Sequence, residues 1–232
     1  MSPGFVIERR YRGPEGSGNG GYTCGLVAGF VEGAAEVTLR NPPPLDTMLE
    51  VRPVPNGVDV FAGEVLIAEG RSIVWQDLEV PPSPTPAEAE AGRAAYTGYR
   101  RHAFPTCFVC GTDRDDGMEI HAGKVKGRRV WASPFYPDTT LPNQSGRLVL
   151  EMVWSALDCP GAWAMERALQ DRPVVLGRMA AIIEGPVLAE SGYVAIGWPL
   201  GAEGRKLFSG TALFDAAGNR LGVARQTWIV IG

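Results

Sequence analysis

The feature that most constrains this chain is a doubled order of elements. A helical segment from about Gly20 to Val31 is followed by four strand-like stretches: Ala35–Arg40, Thr47–Val54, Val58–Ala68 and Ser72–Val80. A second helical segment, from about Arg147 to Gln170, is followed by four more: Leu176–Glu184, Tyr193–Leu200, Lys206–Asp215 and Arg220–Ile231. Turn residues separate the strands in both series, as at Pro55-Asn56-Gly57 and Ala217-Gly218-Asn219, which is the pattern of antiparallel meanders. The series also echo each other in detail. Phe61-Ala62-Gly63 matches Phe208-Ser209-Gly210, Trp75 matches Trp228, and Pro44-Leu45 matches Pro186-Val187. A repeat of this length decides the fold before any single motif does.

The doubling implies an α+β chain of two like units, each a central helix wrapped by an antiparallel sheet. The proline run Pro81-Pro82-Ser83-Pro84-Thr85-Pro86 is stiff and extended, and the Ala/Glu-rich stretch Ala87–Arg101 after it predicts a short helix. The expected division is therefore 1–80 for the first unit, 81–103 for the linker and 104–232 for the second. Pro160 predicts a kink or break inside the second helix, because it removes a backbone donor.

Composition excludes several classes. The 232 residues are 45% hydrophobic and 21% charged, enough apolar material for a core without staples. A net charge of −4 with no basic run leaves no footprint for nucleic acid or an anionic membrane. No stretch approaches the ~18 apolar residues of a membrane helix, and the N-terminus has no secretory pattern. Four cysteines are too few for a secreted scaffold, so the expectation is a cytoplasmic protein with reduced thiols.

Three motifs carry a family resemblance. Cys107-Phe108-Val109-Cys110-Gly111, followed by Asp116-Gly117-Met118-Glu119-Ile120, is similar to the opening segment of single-hotdog thioesterases, which read CFxCG and then GLxL. Leu157-Asp158-Cys159-Pro160-Gly161-Ala162-Trp163-Ala164 resembles their central-helix signature of a Leu, an acid and small residues. Asn19-Gly20-Gly21 looks like the start of the same helix. The layout also resembles tandem acyl-CoA thioesterase II, in which two hotdogs are fused. That family's acid falls on the first strand after the second helix, in a run like LDHSMW, where this chain has Leu176-Gly177-Arg178-Met179. Its strand Gln corresponds to Gln226, and its Ser/Thr to Ser209 or Thr211.

The resemblance implies a double hotdog acting on an acyl-CoA or acyl-carrier thioester, with coenzyme A present only as part of the substrate. Asp158 is the leading acid: a carboxylate beside Trp154, Leu157 and Trp163 is desolvated, which raises its pKa and makes it a better base. Glu151, one heptad earlier, is the fallback. The Asn19–Gly21 turn offers helix-start N–H groups to a thioester carbonyl. The first half keeps that turn and the second keeps the acid, so one composite site between the halves is expected. Tyr22, Trp154 and Trp163 are candidates for the acyl pocket. Arg205 and Lys206, with Arg71 at the matching turn, are candidates for coenzyme A phosphates. A homodimer or higher homo-oligomer is compatible with such a fold.

No metal is expected. Zinc needs about four ligands, and the Cys107/Cys110 pair has no second C-x-x-C; Cys24, Cys159, His102 and His121 remain as scattered candidates. Small apolar residues pinning a loop are the plainer reading of the pair. Neither histidine falls on a central helix, which argues against a hotdog dehydratase. The alternative to a hydrolase is a non-catalytic acyl or small-ligand binding protein on the same scaffold.

Overall fold

The computed structural model describes residues 3–165 and 172–231. Helix α1 (Gly20–Ala28) begins at Asn19, whose side chain accepts the Tyr22 N–H at 2.9 Å. Three glycines in nine residues are poor helix formers, so packing must hold this helix. Seven of its residues are buried, on every side, as expected of a helix wrapped by structure.

The second central helix is broken. α3 (Leu150–Ala156) and α4 (Cys159–Trp163) are separated at Leu157 and Asp158, where Asp158 leaves the helical region at φ −79°, ψ −80°. Pro160 sits in the first turn of α4, where its missing N–H has no helical acceptor to lose. The break thus precedes the proline rather than falling on it. The expected helix was also too long at its start, where Arg147–Leu148 form a short strand. Its end at Gln170 lies outside the described residues. The linker helix is α2 (Pro86–Ala94), closed by a reciprocal capping box between Thr85 and Glu88.

Eleven strands form one sheet. The first half contributes β1 (Gly4–Val6), β2 (Ala35–Leu39), β3 (Met48–Val54), β4 (Gly57–Ala62) and β5 (Val65–Ser72). The second contributes β6 (Gly123–Lys124), β7 (Trp131–Phe135), β10 (Val174–Ile183), β11 (Tyr193–Glu203), β12 (Lys206–Asp215) and β13 (Arg220–Val230). Two short strands, β8 (Asn143–Gln144) and β9 (Arg147–Leu148), form a separate pair, and Arg147 also bridges to Leu188. The sheet order is β1-β3-β4-β5-β2-β10-β13-β12-β11-β7-β6. Read outward from the β2–β10 seam, each half repeats the same path: first strand after the helix, then fourth, third, second, then the strand that precedes the helix. The seam is antiparallel, with Arg178 opposite Thr38 and Ala181 opposite Ala35. The chain is a tandem hotdog, one continuous sheet around two helices.

Two strand expectations change. Val58–Ala68 is not one strand but the β4–β5 hairpin, turning at Gly63 with φ +58°. Such a two-residue turn needs a positive φ that glycine adopts freely. Ser72–Val80 leaves the sheet after its first residue. The Phe-x-Gly echo is therefore not structural: Phe61–Gly63 ends β4, whereas Phe208–Gly210 lies within β12. Trp75 lies outside the strands and Trp228 inside β13.

The helices meet where glycine allows it. A Cβ on Gly25 would overlap the Glu151 Cα and lie 2.9 Å from the Trp154 Cβ. Gly25→Ala is therefore expected to destabilise by about 1–3 kcal/mol through overpacking. Gly29→Ala, at a helical φ of −61° with only carbonyl oxygens nearby, should stay within about 0.5 kcal/mol. Urea unfolding midpoints of the two variants check the contrast.

Candidate functional site

The helix break delivers Asp158 to the start of α1. Its side chain is 2% exposed. Oδ2 accepts from Asn19 Nδ2 at 2.8 Å, while Oδ1 has no hydrogen-bond partner in the protein. Asn19 is used at both ends, since its Oδ1 caps α1 while its amide holds the carboxylate. Gly21 makes the approach possible: a Cβ there would overlap Asp158 and lie 2.9 Å from the Trp154 carbonyl oxygen. Burial pushes the Asp158 carboxyl up to about 7, and the nearby Cys107 adds to the rise. The Gly21 amide, Asn19 and the Cys159 thiol favour the ionised form and limit the shift. Asp158, Asn19 and Gly21 are thus brought together from the two halves.

Gln226 stands behind them. Its Nε2 donates to the Leu157 carbonyl at 2.7 Å and the Asp158 carbonyl at 3.0 Å. Its Oε1 accepts from Ser209 Oγ at 2.9 Å and Trp228 Nε1 at 3.2 Å. The first of these bonds satisfies a carbonyl that the helix break would otherwise leave orphaned, while the Asp158 carbonyl also accepts the Gly161 N–H at 3.1 Å. Gln226 acts on the backbone of the acid and is absent from the cavity wall. Thr211 Oγ1, its buried neighbour on β12, has no partner.

A cavity of about 960 Å³ opens against this point, with Asn19, Gly20, Asp158, Cys159, Trp163 and Leu176 among its lining residues. Of the expected acyl-pocket aromatics, Trp163 lines it. Tyr22 instead stacks on Tyr11 with ring centres 4.1 Å apart, and Trp154 is packed in the core. Arg205 and Lys206 are not on the wall; they lie exposed at the β11–β12 turn. Arg71 is paired with Asp59 at 2.6 Å. The arginines that do line the cavity are Arg40, Arg101 and Arg172, which no local motif marked. Arg178, in the place of the tandem family's acid, pairs across the seam with Glu36 at 3.4 Å and Thr38 at 2.9 Å. Glu151 does not line the cavity.

Three of the four cysteines gather beside the acid. The Sγ atoms of Cys107, Cys110 and Cys159 all lie within 4.8 Å of one another. The Cys110 and Cys159 thiols, with the backbone amides of Cys110 and Val109, push the Cys107 thiol well down against the effect of its burial. In the sequence Cys159 stands apart from the C-x-x-C pair as a scattered candidate. The fold brings it to the C-x-x-C pair. Cys24, buried in α1, is pushed up by burial.

No family model matches this chain, and no curated protein is found to resemble it in sequence. Solved structures do resemble it. A hotdog-fold protein of unknown function from Alicyclobacillus acidocaldarius aligns over 99% of this chain and 92% of its own, at TM-score 0.64 and 10% identity. The tesB protein of Mycobacterium avium subs paratuberculosis aligns over 93% and 88%, at TM-score 0.59 and 11% identity. An acyl-CoA thioesterase II from Mycobacterium marinum aligns over 91% and 90%, at TM-score 0.57 and 12% identity. The chain thus has the double-hotdog fold of these proteins, and at such identities the likeness is one of fold. Among the described residues no helix is long and apolar enough to cross a membrane.

Asn19→Ala removes a helix cap and a donor to a buried carboxylate together, so a loss of about 2–4 kcal/mol is expected. Asn19→Ser keeps the cap alone and should recover about 1 kcal/mol of it. Chemical denaturation of both variants reads the difference.

Proposed function

We propose that this protein hydrolyses an acyl thioester at one composite site between its halves. The observation that carries the reading is Asp158: a carboxylate buried at the cavity wall, fixed by Asn19 across the interface and pushed up to about 7 by burial. A carboxyl in that range exchanges a proton near neutral pH, as a general base must.

In this reading the Asp158 carboxylate takes a proton from a water in the cavity, and that water attacks the thioester carbonyl. Asn19 keeps the carboxylate from rotating away. The carbonyl oxygen lies toward the start of α1, where the Gly20 N–H is in the first turn, has no intrahelical acceptor and borders the cavity. The negative charge of the tetrahedral intermediate is stabilised there, and its collapse expels the thiolate. Gln226 positions Asp158 through its backbone. The acyl group packs toward Trp163 and Leu176. Arg101 and Arg172 on the wall favour an anionic leaving group such as coenzyme A, whereas Arg40 there is paired with Glu69.

The test is a hydrolysis screen over acyl-CoA chain lengths with wild-type protein and Asp158→Asn. Turnover by the wild type and a fall of at least about 100-fold in the variant are expected, the usual scale for a lost general base. Full activity in a folded Asp158→Asn protein removes Asp158 as the base. Ligand binding without turnover of any thioester would instead favour an acyl-binding protein.

A further inference from the structure

The cysteine cluster has the geometry of a metal site. Cys107 and Cys110 lie on the loop ahead of β6, and Cys159 begins α4. Cys107 Sγ and Cys159 Sγ are 3.9 Å apart. Thiolates about 2.3 Å from a tetrahedral ion stand about 3.8 Å from one another. The cluster is therefore already near the spacing that a shared ion requires, and farther apart than a covalent S–S bond.

We infer that Cys107, Cys110 and Cys159 form a three-thiolate site for a zinc-class divalent ion, with its fourth position open to the cavity. Such an ion takes soft sulfur ligands and tolerates three protein ligands plus one exchangeable ligand.

The surroundings fit a ligated sulfur group. The Cys107–Cys110 segment is a tight turn closed by the Gly111 N–H on the Cys107 carbonyl at 2.8 Å. Any Cβ on Gly111 would press on the carbonyls of Pro105 and Cys107. Each cysteine of the pair has a polar side chain beside its sulfur: Asn19 Nδ2 lies 3.7 Å from Cys107 Sγ, and His102 Nε2 lies 3.5 Å from Cys110 Sγ. Such outer partners are what metal ligands ordinarily carry. His102 is not itself a ligand here. Its Nδ1 accepts the Phe104 N–H at 3.0 Å, so the proton is on Nε2, which donates to the Cys110 carbonyl at 3.0 Å with the Cys110 sulfur farther off. It also stands apart from the group of atoms that share the 4.8 Å limit. All three cysteines line the cavity, which gives an ion its way in and leaves the fourth position to water or to an oxygen or sulfur of a bound molecule.

The proposal does not depend on Asp158 being a base. The test is the metal content of protein purified without chelator, followed by loading with zinc(II) and with cobalt(II). About one equivalent of zinc per chain is expected. The cobalt form should show sulfur-to-metal charge transfer in the near ultraviolet and visible bands of tetrahedral intensity. Cys110→Ser and Cys159→Ser should lose both signals, whereas Cys24→Ala, His102→Ala and Asp158→Asn should keep them. Because serine variants can fail to fold, thiol labelling of the native wild type is the second measurement: chelator should expose three additional reactive thiols. No metal after loading, together with labelling that chelator leaves unchanged, overturns the site. So does a disulfide among these cysteines as the isolated state. Loss of metal in His102→Ala overturns the open fourth position. Loss of hydrolysis in Asp158→Asn with zinc retained shows that the two proposals are read separately.

Discussion

The close approach of α1 to the break between α3 and α4 sets the terms for everything else in this molecule. Gly21 lets the Asp158 carboxylate reach a helix start without a side chain in the way. Asn19 then satisfies the helix and the acid with one amide group. The contact joins the two halves at their centre, while the β2–β10 seam joins them at the sheet. The helix break has to be supported from outside, and Gln226 does so from β13 with two hydrogen bonds to the exposed carbonyls. A chain of polar contacts thus runs from the sheet, through the break, to the first turn of the opposite helix. Low dielectric strengthens each link and raises the cost of losing any one of them.

This arrangement explains how legible the sequence is. The doubled helix-and-meander order survives because it rests on local signals: turn residues, alternation and the Asn cap. Local rules hold at the capped α1 and at the Thr85–Glu88 capping box, although the helix expected over Ala87–Arg101 ends at Ala94. The failures have physical causes as well. Gly63 reads as one residue in a long apolar run, yet its positive φ turns the chain. The Phe-x-Gly echo matches letters across two different strand positions. The helix break precedes Pro160 because Gln226 and Ser209, far off in sequence, make it stable.

The site shows the same division. Asp158, Asn19 and Gly21 are legible because each carries a local signature, an acid among aromatics and a Gly-Gly helix start. Gln226 is legible as a residue, but its place behind the acid is a matter of register between β12 and β13. The cysteine cluster is not legible at all. Cys159 is 49 residues beyond Cys110 (159 − 110), on another element, and only the fold shows that α4 starts over the C-x-x-C turn. The cavity arginines are hidden for the same reason, since Arg40, Arg101 and Arg172 come from separate segments.

The Asp158–Asn19 contact has no counterpart at the other helix start, and what each helix start and helix middle offers explains why. A pseudo-equivalent second site would need a cap residue at the start of α3 and an acid late in α1. The cap position of α3 is Val149, which has no side-chain group to offer, and α1 ends in Leu26, Val27 and Ala28. Where the helices cross near that missing site, Gly25 meets the backbone of Glu151, so the space is filled by main chain rather than by a carboxylate facing a cavity. A homodimer of single units must duplicate every site residue, because both subunits share one sequence. A fused chain is free of that constraint: Asn19 and Gly21 in one half meet Asp158 in the other at one contact. The remaining helix surfaces are then free to pack, and the asymmetry of the sequence is what lets a symmetric fold make that contact once.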